Sequence, residues 1–310
     1  MSPSAEAELL ADRGAAAAEQ EFFRSPEFLE AEGVTHTLRI GPIAAPLVVR
    51  EIPGGGDLLD AVSPYGYPGF AAPAGAQLDV GDVDFGPLGL VSAFIRHRLG
   101  AEPPLSGSRE RNVVQIADPA LPRKSRPSDR QQIRRNERSG YTVEFVPGVE
   151  ASPERRDAFV AAYEQTMRRT EAAERYFFGA EYFEQVLASP RAWLCLALEP
   201  GGEVAAGSLA TESDEMLHYY LSGTADAHLG ESPMKNVVSA LVDLAEGREL
   251  PLNLGGGISP GDPLEEFKRG FANRTEAWRT SEIVCDRGAY ERLRAGRDAG
   301  GFFPAYRAFA

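Results

Sequence analysis

A chain of 310 residues with 43% hydrophobic and 25% charged side chains can bury a substantial core, and at roughly 100 to 200 residues per domain it reads as two domains. A formal net charge of −14 repels polyanions at long range and excludes a nonspecific nucleic-acid binder. The two cysteines (Cys195, Cys285) sit in apolar runs, the four histidines show no paired spacing, no apolar run reaches a membrane-spanning length and the N-terminal segment carries Glu, Asp and Arg, so disulfide, metal site, cofactor motif, span and signal peptide have no support and a cytoplasmic enzyme or binding protein is expected.

In chain order, residues 1 to 33 read as helical with frayed ends: alanine-rich, then Phe22, Phe23 and Phe28 around Ser25-Pro26. Strands are expected over Val34 to Ile40 and Pro46 to Ile52, separated by Gly41-Pro42. From Asp60 to Phe70 aromatic rings interleave with Pro and Gly, which predicts a loop. Tyr65 and Tyr67 there either line a pocket or pin the loop to the core. Leu88 to Leu99 is amphipathic and Asn112 to Ala117 reads as a strand. After a proline-punctuated connector, a polar helix is expected from Pro127 to about Gly140.

The second half has a clearer order. Strand Tyr141 to Val146 leads to Ser152 as N-cap, Pro153 in the first turn, and a helix with Phe159, Tyr163 and Met167 on one face. A short helix carries Tyr182, Phe183, Val186 and Leu187. Strands follow at Ala192 to Leu198, Val204 to Thr211 and Met216 to Ser222. Ser232-Pro233 opens another helix, closed by Gly247, and a strand (Trp278 to Cys285) and a helix near Tyr290 to Leu293 complete the chain. This order predicts an α/β sandwich, and the fainter repeat of it in the first half predicts a duplicated domain.

Two stretches carry candidate chemistry. From Leu252 to Phe271 a short strand runs into Gly255, Gly256 and Gly257, and then into a helix with Leu264, Phe267 and Phe271 at helical spacing and Lys268 beside that face. Glycines at a strand end let a ligand approach the backbone and can form an anion-binding nest; a plain tight turn is the alternative. From Arg109 to Arg138 there are nine basic residues against four acidic ones, an island on an acidic body. Arg130, Arg134 and Arg138 fall at four-residue spacing with Arg135 beside them: a solvated helix, a bridge between domains, or a set of cations for a phosphate backbone.

These motifs, LGGG at Leu254 to Gly257 and FKRGF at Phe267 to Phe271, resemble the Fem-type branch of the GNAT-like acyltransferases, which join an amino acid from aminoacyl-tRNA to an amine. SPYGYPG at Ser63 to Gly69, RRNERSGY at Arg134 to Tyr141, YEQTMRR at Tyr163 to Arg169, HYYLSG at His218 to Gly223 and FFPAYR at Phe302 to Arg307 extend the resemblance over most of the chain. It implies two tandem GNAT-like domains, each a mixed, mostly antiparallel sheet flanked by helices, over residues 1–140 and 141–297, with the active site near their junction. A tail, 298–310, is then expected to return to the first domain. It places Lys268 near the reacting carbonyl, where a fixed cation stabilises the oxygen that turns anionic, a contribution of roughly 3 to 4 kcal/mol. Only Lys124, Lys235 and Lys268 are lysines among 32 basic residues, so a lysine in that motif stands out. Substrate contacts are expected from Tyr65, Tyr67, Tyr219, Phe267 and the three glycines, and from Arg168 and Arg169 as a clamp for an anionic group on the acceptor. Tyr219 and Tyr220 alternate across a strand, so one faces the core. Asp60, Asp262 and a group on the substrate are candidate bases.

An acyl-CoA enzyme of this type carries a glycine-rich helix start for the pyrophosphate. Here the corresponding HLGESPMKNVV (His228 to Val238) has Glu231, which repels phosphate, and Pro233, which removes a donor. Aminoacyl-tRNA is therefore the expected donor, held through a small contact with the 3′ end and the basic helix at Arg130, Arg134, Arg135 and Arg138. The expected acceptor is a peptide or nucleoside-type amine in natural-product biosynthesis. The alternatives are an acyl-CoA-dependent N-acetyltransferase, a peptidoglycan-precursor aminoacyltransferase and a catalytically silent binding module.

Overall fold

A computed structural model describes residues 5–297 and 299–308, and the chain forms two compact units. The first comprises the chain up to Glu19, Phe23–Arg111, and the stretch from Ala277 onward; the second comprises Gln20–Phe22 and Asn112–Glu276.

The first unit opens with strand β1 (Ala5–Leu10), where a helix was expected. Ala and Glu favour a helix by only a few tenths of a kcal/mol per residue. Here they alternate, and β1 pairs antiparallel with β2 (His36–Ile40), burying Ala7 opposite Ile40. Besides short 3-10 turns at Gly14–Ala16 and Phe22–Arg24, an α-helix forms at α1 (Pro26–Ala31), where the Ser25 hydroxyl accepts from Phe28 N–H and Pro26 occupies the first turn. Residues 1–4 of that expected helical segment lie outside the described residues. Strands β3 (Ile43–Glu51), β4 (Leu59–Val62), the two-residue β5 (Val83–Asp84) and β6 (Ser92–Arg96) follow. Asp60 thus belongs to a strand, and the loop begins at Ser63.

In the second unit the elements come close to their expected bounds: β7 (Arg109–Ala117, of which the first three residues belong to the first unit), α2 (Pro127–Arg138), β8 (Thr142–Pro147), α3 (Pro153–Arg169), α4 (Ala180–Leu187), β9 (Ala192–Leu198), β10 (Val204–Ser213), β11 (Met216–Thr224), α5 (Met234–Arg248), β12 (Leu252–Gly255) and α6 (Pro263–Arg269). Strand order is β7-β12-β11-β10-β9-β8, antiparallel except for the β11–β12 pair. One face packs on α5 through Val237, Val238, Leu241 and Leu252; the other meets α3 and α4, where Phe183 stands edge-on to Phe159 (5.3 Å) and Tyr163 (5.2 Å). Two ends differ from expectation. Ser232 does not cap α5, because it takes a left-handed conformation and its hydroxyl turns back to Leu229 O; and the helix runs past Gly247 to Arg248, closed by Glu249 at φ 57°.

Helix α3 lies so close on β11 that a Cβ at Gly223 would sit 2.4 Å from Tyr163 Cα and 2.5 Å from Ala162 O. Both are backbone atoms and cannot step aside. Gly223→Ala is expected to cost roughly 1 to 3 kcal/mol by overpacking, read as a lower urea midpoint at unchanged slope.

The chain then returns to the first unit with β13 (Arg274–Val284, its first three residues still in the second) and α7 (Arg287–Arg294), giving the order β5-β1-β2-β3-β4-β6-β13. That sheet is mixed and mostly antiparallel as well, with parallel pairs β1–β5 and β4–β6. Of the tail 298–310, residues 298, 309 and 310 lie outside the described residues. The remainder packs within this unit, with Tyr306 in a cluster with Ile52, Val91 and Tyr290. No helix among the described residues is long and apolar enough to cross a membrane.

Candidate active site

The loop between β12 and α6 is built around two side chains, Asp262 and Lys268. Asp262 caps α6: its Oδ1 accepts from Glu265 N–H (2.7 Å), with Pro263 at the next position. Its Oδ2 accepts from the amides of Ile258 (2.6 Å) and Ser259 (2.9 Å), so one carboxylate ties the loop to the helix start. The Glu265 amide, then those of Ser259, Ile258 and Leu264, hold its carboxyl below the usual range. A carboxylate stabilised in this way is a poor proton acceptor, which removes Asp262 as the base.

One turn further on, Lys268 folds back under the glycines. It is 9% exposed, and Nζ donates to Gly256 O at 2.7 Å. Burial lowers the ammonium to about 8, with the charge of Asp262 opposing the shift. The glycines are needed for this approach. Gly255 sits at φ 78°, and a Cβ there would lie 3.0 Å from Nζ; a Cβ on Gly256 would lie 2.7 Å from Asn112 Nδ2 and 2.8 Å from Val113 O. Asn112 Nδ2 in turn donates to Gly257 O (3.0 Å). The amides of Gly256 and Gly257 have no hydrogen-bond partner among the described residues, and both glycines are half-buried. The ammonium keeps two further N–H bonds, while the Gly257 amide, in the same trans peptide as the carbonyl that Nζ holds, points to the opposite side of that peptide.

The other predicted residues are distributed as follows. Phe267 is half-buried, edge-on to Phe271 at 5.7 Å, and anchors α6 to the core, whereas Leu264 is 40% exposed and points away from it. Tyr219 is the core-facing member of its pair: it packs among Leu217, Val237 and Val238, and burial raises its phenol to about 12. Tyr220 faces the opposite side, its hydroxyl 3.1 Å from Tyr182 OH and its ring 5.9 Å from Phe22. Arg168 is paired with Glu164 (2.6 Å) one turn back, and Arg169 with Asp226. Both guanidiniums already have a carboxylate, so a clamp role would require exchanging it. Tyr65 and Tyr67 belong to the first unit. Tyr65 N–H donates to Glu32 (2.7 Å), and Tyr67 meets the edge of Phe23 (5.5 Å) and Trp278 (6.4 Å), contacts that hold the loop down. Asp60, also in the first unit, is fully buried and bound by Arg307 and Arg50, which leaves it no freedom to act as a base.

The basic segment separates into compensated and uncompensated cations. Arg123 is bound to Asp243 (2.5 Å) and Glu246 (3.1 Å), and Arg126 to Glu266 (2.9 Å). Arg130 reaches the Ser125 carbonyl, while the side chains of Arg134, Arg135 and Arg138 are exposed and have no carboxylate partner among the described residues. Arg123, Arg130, Arg134, Ser125, Ile133, Glu137 and Ser239 line an open groove of about 480 Å³.

The start of α5, where a pyrophosphate would sit, is occupied by the protein itself. The amides of Lys235, Asn236 and Val237 bond to the carbonyls of Ser232 and Pro233. From α2, Asn136 Nδ2 donates to Glu231 O (2.8 Å) and Asn236 Oδ1 (2.7 Å), and Gln132 Nε2 donates to Glu231 O (3.0 Å).

Sequence reasoning missed Asn112, Asn253 and the role of His218. The one available signal was Asn253 between Leu252 and Leu254: a buried polar residue in an apolar strand requires a partner.

Residues 123–269 match the family described as "Acetyltransferase (GNAT) domain". The class this defines is a GNAT-type acyltransferase domain, in the stretch that holds Lys268. Among solved structures, the chain is similar to FemX (TM-score 0.63, 10% identity, 92% of this chain and 99% of that one). It is similar also to L-PGS from Bacillus licheniformis (0.53, 12%, 80% and 82%) and to a conserved protein of unknown function from Bacteroides thetaiotaomicron VPI-5482 (0.54, 11%, 88% and 97%). At these identities the likeness is one of fold. No protein of curated function matches the chain in sequence.

Proposed function

We propose that this protein transfers an aminoacyl group from aminoacyl-tRNA to the amine of a peptide or nucleoside-type small molecule in natural-product biosynthesis. The observation that carries the reading is the buried Lys268 ammonium at the glycine turn, held by one bond to Gly256 O and keeping two further N–H bonds. When an amine attacks the ester, its nitrogen bonds to the carbonyl carbon and negative charge moves to the oxygen. The intermediate then expels the terminal ribose hydroxyl of the tRNA, which leaves with a proton that the amine gave up. A preformed ammonium donor at that oxygen favours the charged intermediate over the neutral ester, a contribution of roughly 3 to 4 kcal/mol.

Aminoacyl-tRNA is favoured over acyl-CoA because the helix start that would hold a pyrophosphate is spent on internal bonds and covered by Asn136 and Gln132. The uncompensated Arg134, Arg135 and Arg138, with Arg130 in the adjoining groove, suit a phosphate backbone. The resemblance of the LGGG and FKRGF motifs to the Fem-type branch supports the same donor.

The test is transfer from a charged tRNA pool to candidate amines, with and without RNase. Loss of product on RNase treatment is the expected result, and product formed from acyl-CoA after RNase would replace the donor. Replacing Arg134, Arg135 and Arg138 together by Gln is expected to flatten the dependence of log affinity on log salt by about two to three units, read by tRNA binding across a salt series.

A further inference from the structure

Behind the glycine turn lies a hydrogen-bonded chain in the second unit that the proposed chemistry does not yet use. His218 on β11 and Asn253 on β12 are register partners in the parallel pair, and both are buried. His218 Nε2 lies 3.3 Å from Ser213 O, Asn253 Nδ2 lies 3.1 Å from His218 Nδ1, and Asn253 Oδ1 accepts from Gly255 N–H at 2.8 Å. The next residue, Gly256, supplies the carbonyl that holds Lys268 Nζ.

The polarity of this chain is fixed at its far end. A carbonyl only accepts, so Nε2 carries the proton and Nδ1 is a lone pair. The Asn253 amide must then turn its NH2 toward the imidazole, which leaves its oxygen for Gly255. Burial keeps the imidazole neutral by lowering it to about 4. A proton on Nδ1, or a flipped amide, would set N–H against N–H and release the Gly255 amide. Gly255 is in the left-handed region and is paired with Gln115 on β7, and the bond from its amide to Asn253 is the side-chain contact that holds the residue from which the chain turns to the Gly256 carbonyl.

We infer that His218 and Asn253 are positioning residues, which through the chain Ser213–His218–Asn253–Gly255 hold the Gly256 carbonyl and thereby the Lys268 ammonium in place. This rests on the proposed role of Lys268 for its catalytic meaning, but the geometric claim can be read without any substrate. The chain has three lysines, Lys124, Lys235 and Lys268, so trace acetylation with acetic anhydride over a pH series, followed by mass spectrometry, titrates each one separately. In Asn253→Ala the midpoint of Lys268 is expected to move up by about one unit as the pocket loosens, with Lys124 and Lys235 unmoved. Turnover should fall by about tenfold to a hundredfold, in kcat more than in KM. His218→Leu should behave alike, and His218→Asn, whose Oδ1 can accept from Asn253 as Nδ1 does, should recover most of the Lys268 midpoint. Folded Asn253→Ala and His218→Leu proteins with an unshifted Lys268 midpoint would overturn the inference. So would a wild-type nitrogen NMR spectrum showing the proton of His218 on Nδ1, a result that needs no variant. A Lys268→Met enzyme that still transfers would remove the catalytic reading alone and leave the titration result standing.

Discussion

Lys268→Met is expected to abolish transfer and, in the same molecule, to raise stability at neutral pH. The wild-type ammonium is driven from 10.5 to about 8 by burial, while in the unfolded chain it titrates as an ordinary lysine. Below pH 8 it is charged in both states, and holding that charge out of water costs roughly 3 kcal/mol at 1.36 kcal/mol per unit. Methionine has a similar length and no charge. It forfeits the bond to Gly256 O, on a half-buried residue, so a net gain of roughly 1 to 3 kcal/mol is expected. The difference shrinks with pH in a defined window. Between about 8 and 10.5 the unfolded chain binds more protons than the folded one, so wild-type stability rises with pH and the advantage of the variant closes. Urea titrations at neutral pH and at about pH 9.5 read both halves. The pH–rate profile separates two roles for the same nitrogen. If the ammonium stabilises the oxyanion, the wild-type rate falls above pH 8 and Lys268→Arg, charged throughout, lacks that limb; a rate that instead climbs through pH 8 would make the neutral amine a base.

A buried, desolvated cation is the part of the site that a sequence hides best. The FKRGF motif and the scarcity of lysine single out Lys268, but nothing in the one-dimensional pattern says that the side chain turns inward, since Leu264, at helical spacing with Phe267 and Phe271, is the residue that ends up exposed. Strands β9 to β11 and helices α2 and α3 are legible because short, largely apolar runs, Ser152-Pro153 and Pro127 act locally. Strand β1 is not, because its fate depends on pairing with β2 some thirty residues away rather than on its own helix-favouring composition. The same non-locality hides His218 and Asn253, each unremarkable alone and joined only by the register of β11 and β12. In the other direction, the pairing of Arg168 with Glu164 was open to view, four residues apart on one helix, and it argues for a solvated helix end rather than a clamp. Alternation told that Tyr219 and Tyr220 part company; only the placement of α5 decides that Tyr219 is the buried one.

Asp60→Ala is expected to destabilise the protein by about 3 kcal/mol or more while leaving turnover per folded molecule within about twofold of wild type. The carboxylate is fully buried in the first unit. Arg307 binds it through Nε (2.5 Å) and Nη2 (2.9 Å), Arg50 through Nη2 (3.0 Å), and the Tyr306 hydroxyl at 3.2 Å. Tyr306 OH is bonded in turn to Ser92 Oγ (2.7 Å) and Arg307 Nη2 to Glu51 O (2.6 Å), so Asp60 on β4 is the charged centre of a set of bonds that fastens the C-terminal segment to β3, β4 and β6. Removing it leaves two guanidiniums facing each other. Burial already lowers Arg50, the charge of Asp60 is what opposes that shift, and the charge of Arg307 adds to it. Breaking a buried pair in this way typically costs 3 to 5 kcal/mol, and the lower end of that rough range applies because Arg50 is 34% exposed and can reach water. The signature is therefore a lower urea midpoint together with faster proteolysis near Arg307, at preserved kcat. A folded Asp60→Ala protein of wild-type stability that has lost a hundredfold or more in kcat, about 3 kcal/mol of barrier, would show the opposite: a carboxylate free to take the proton of the amine, with Arg50 and Arg307 tuning it rather than locking it.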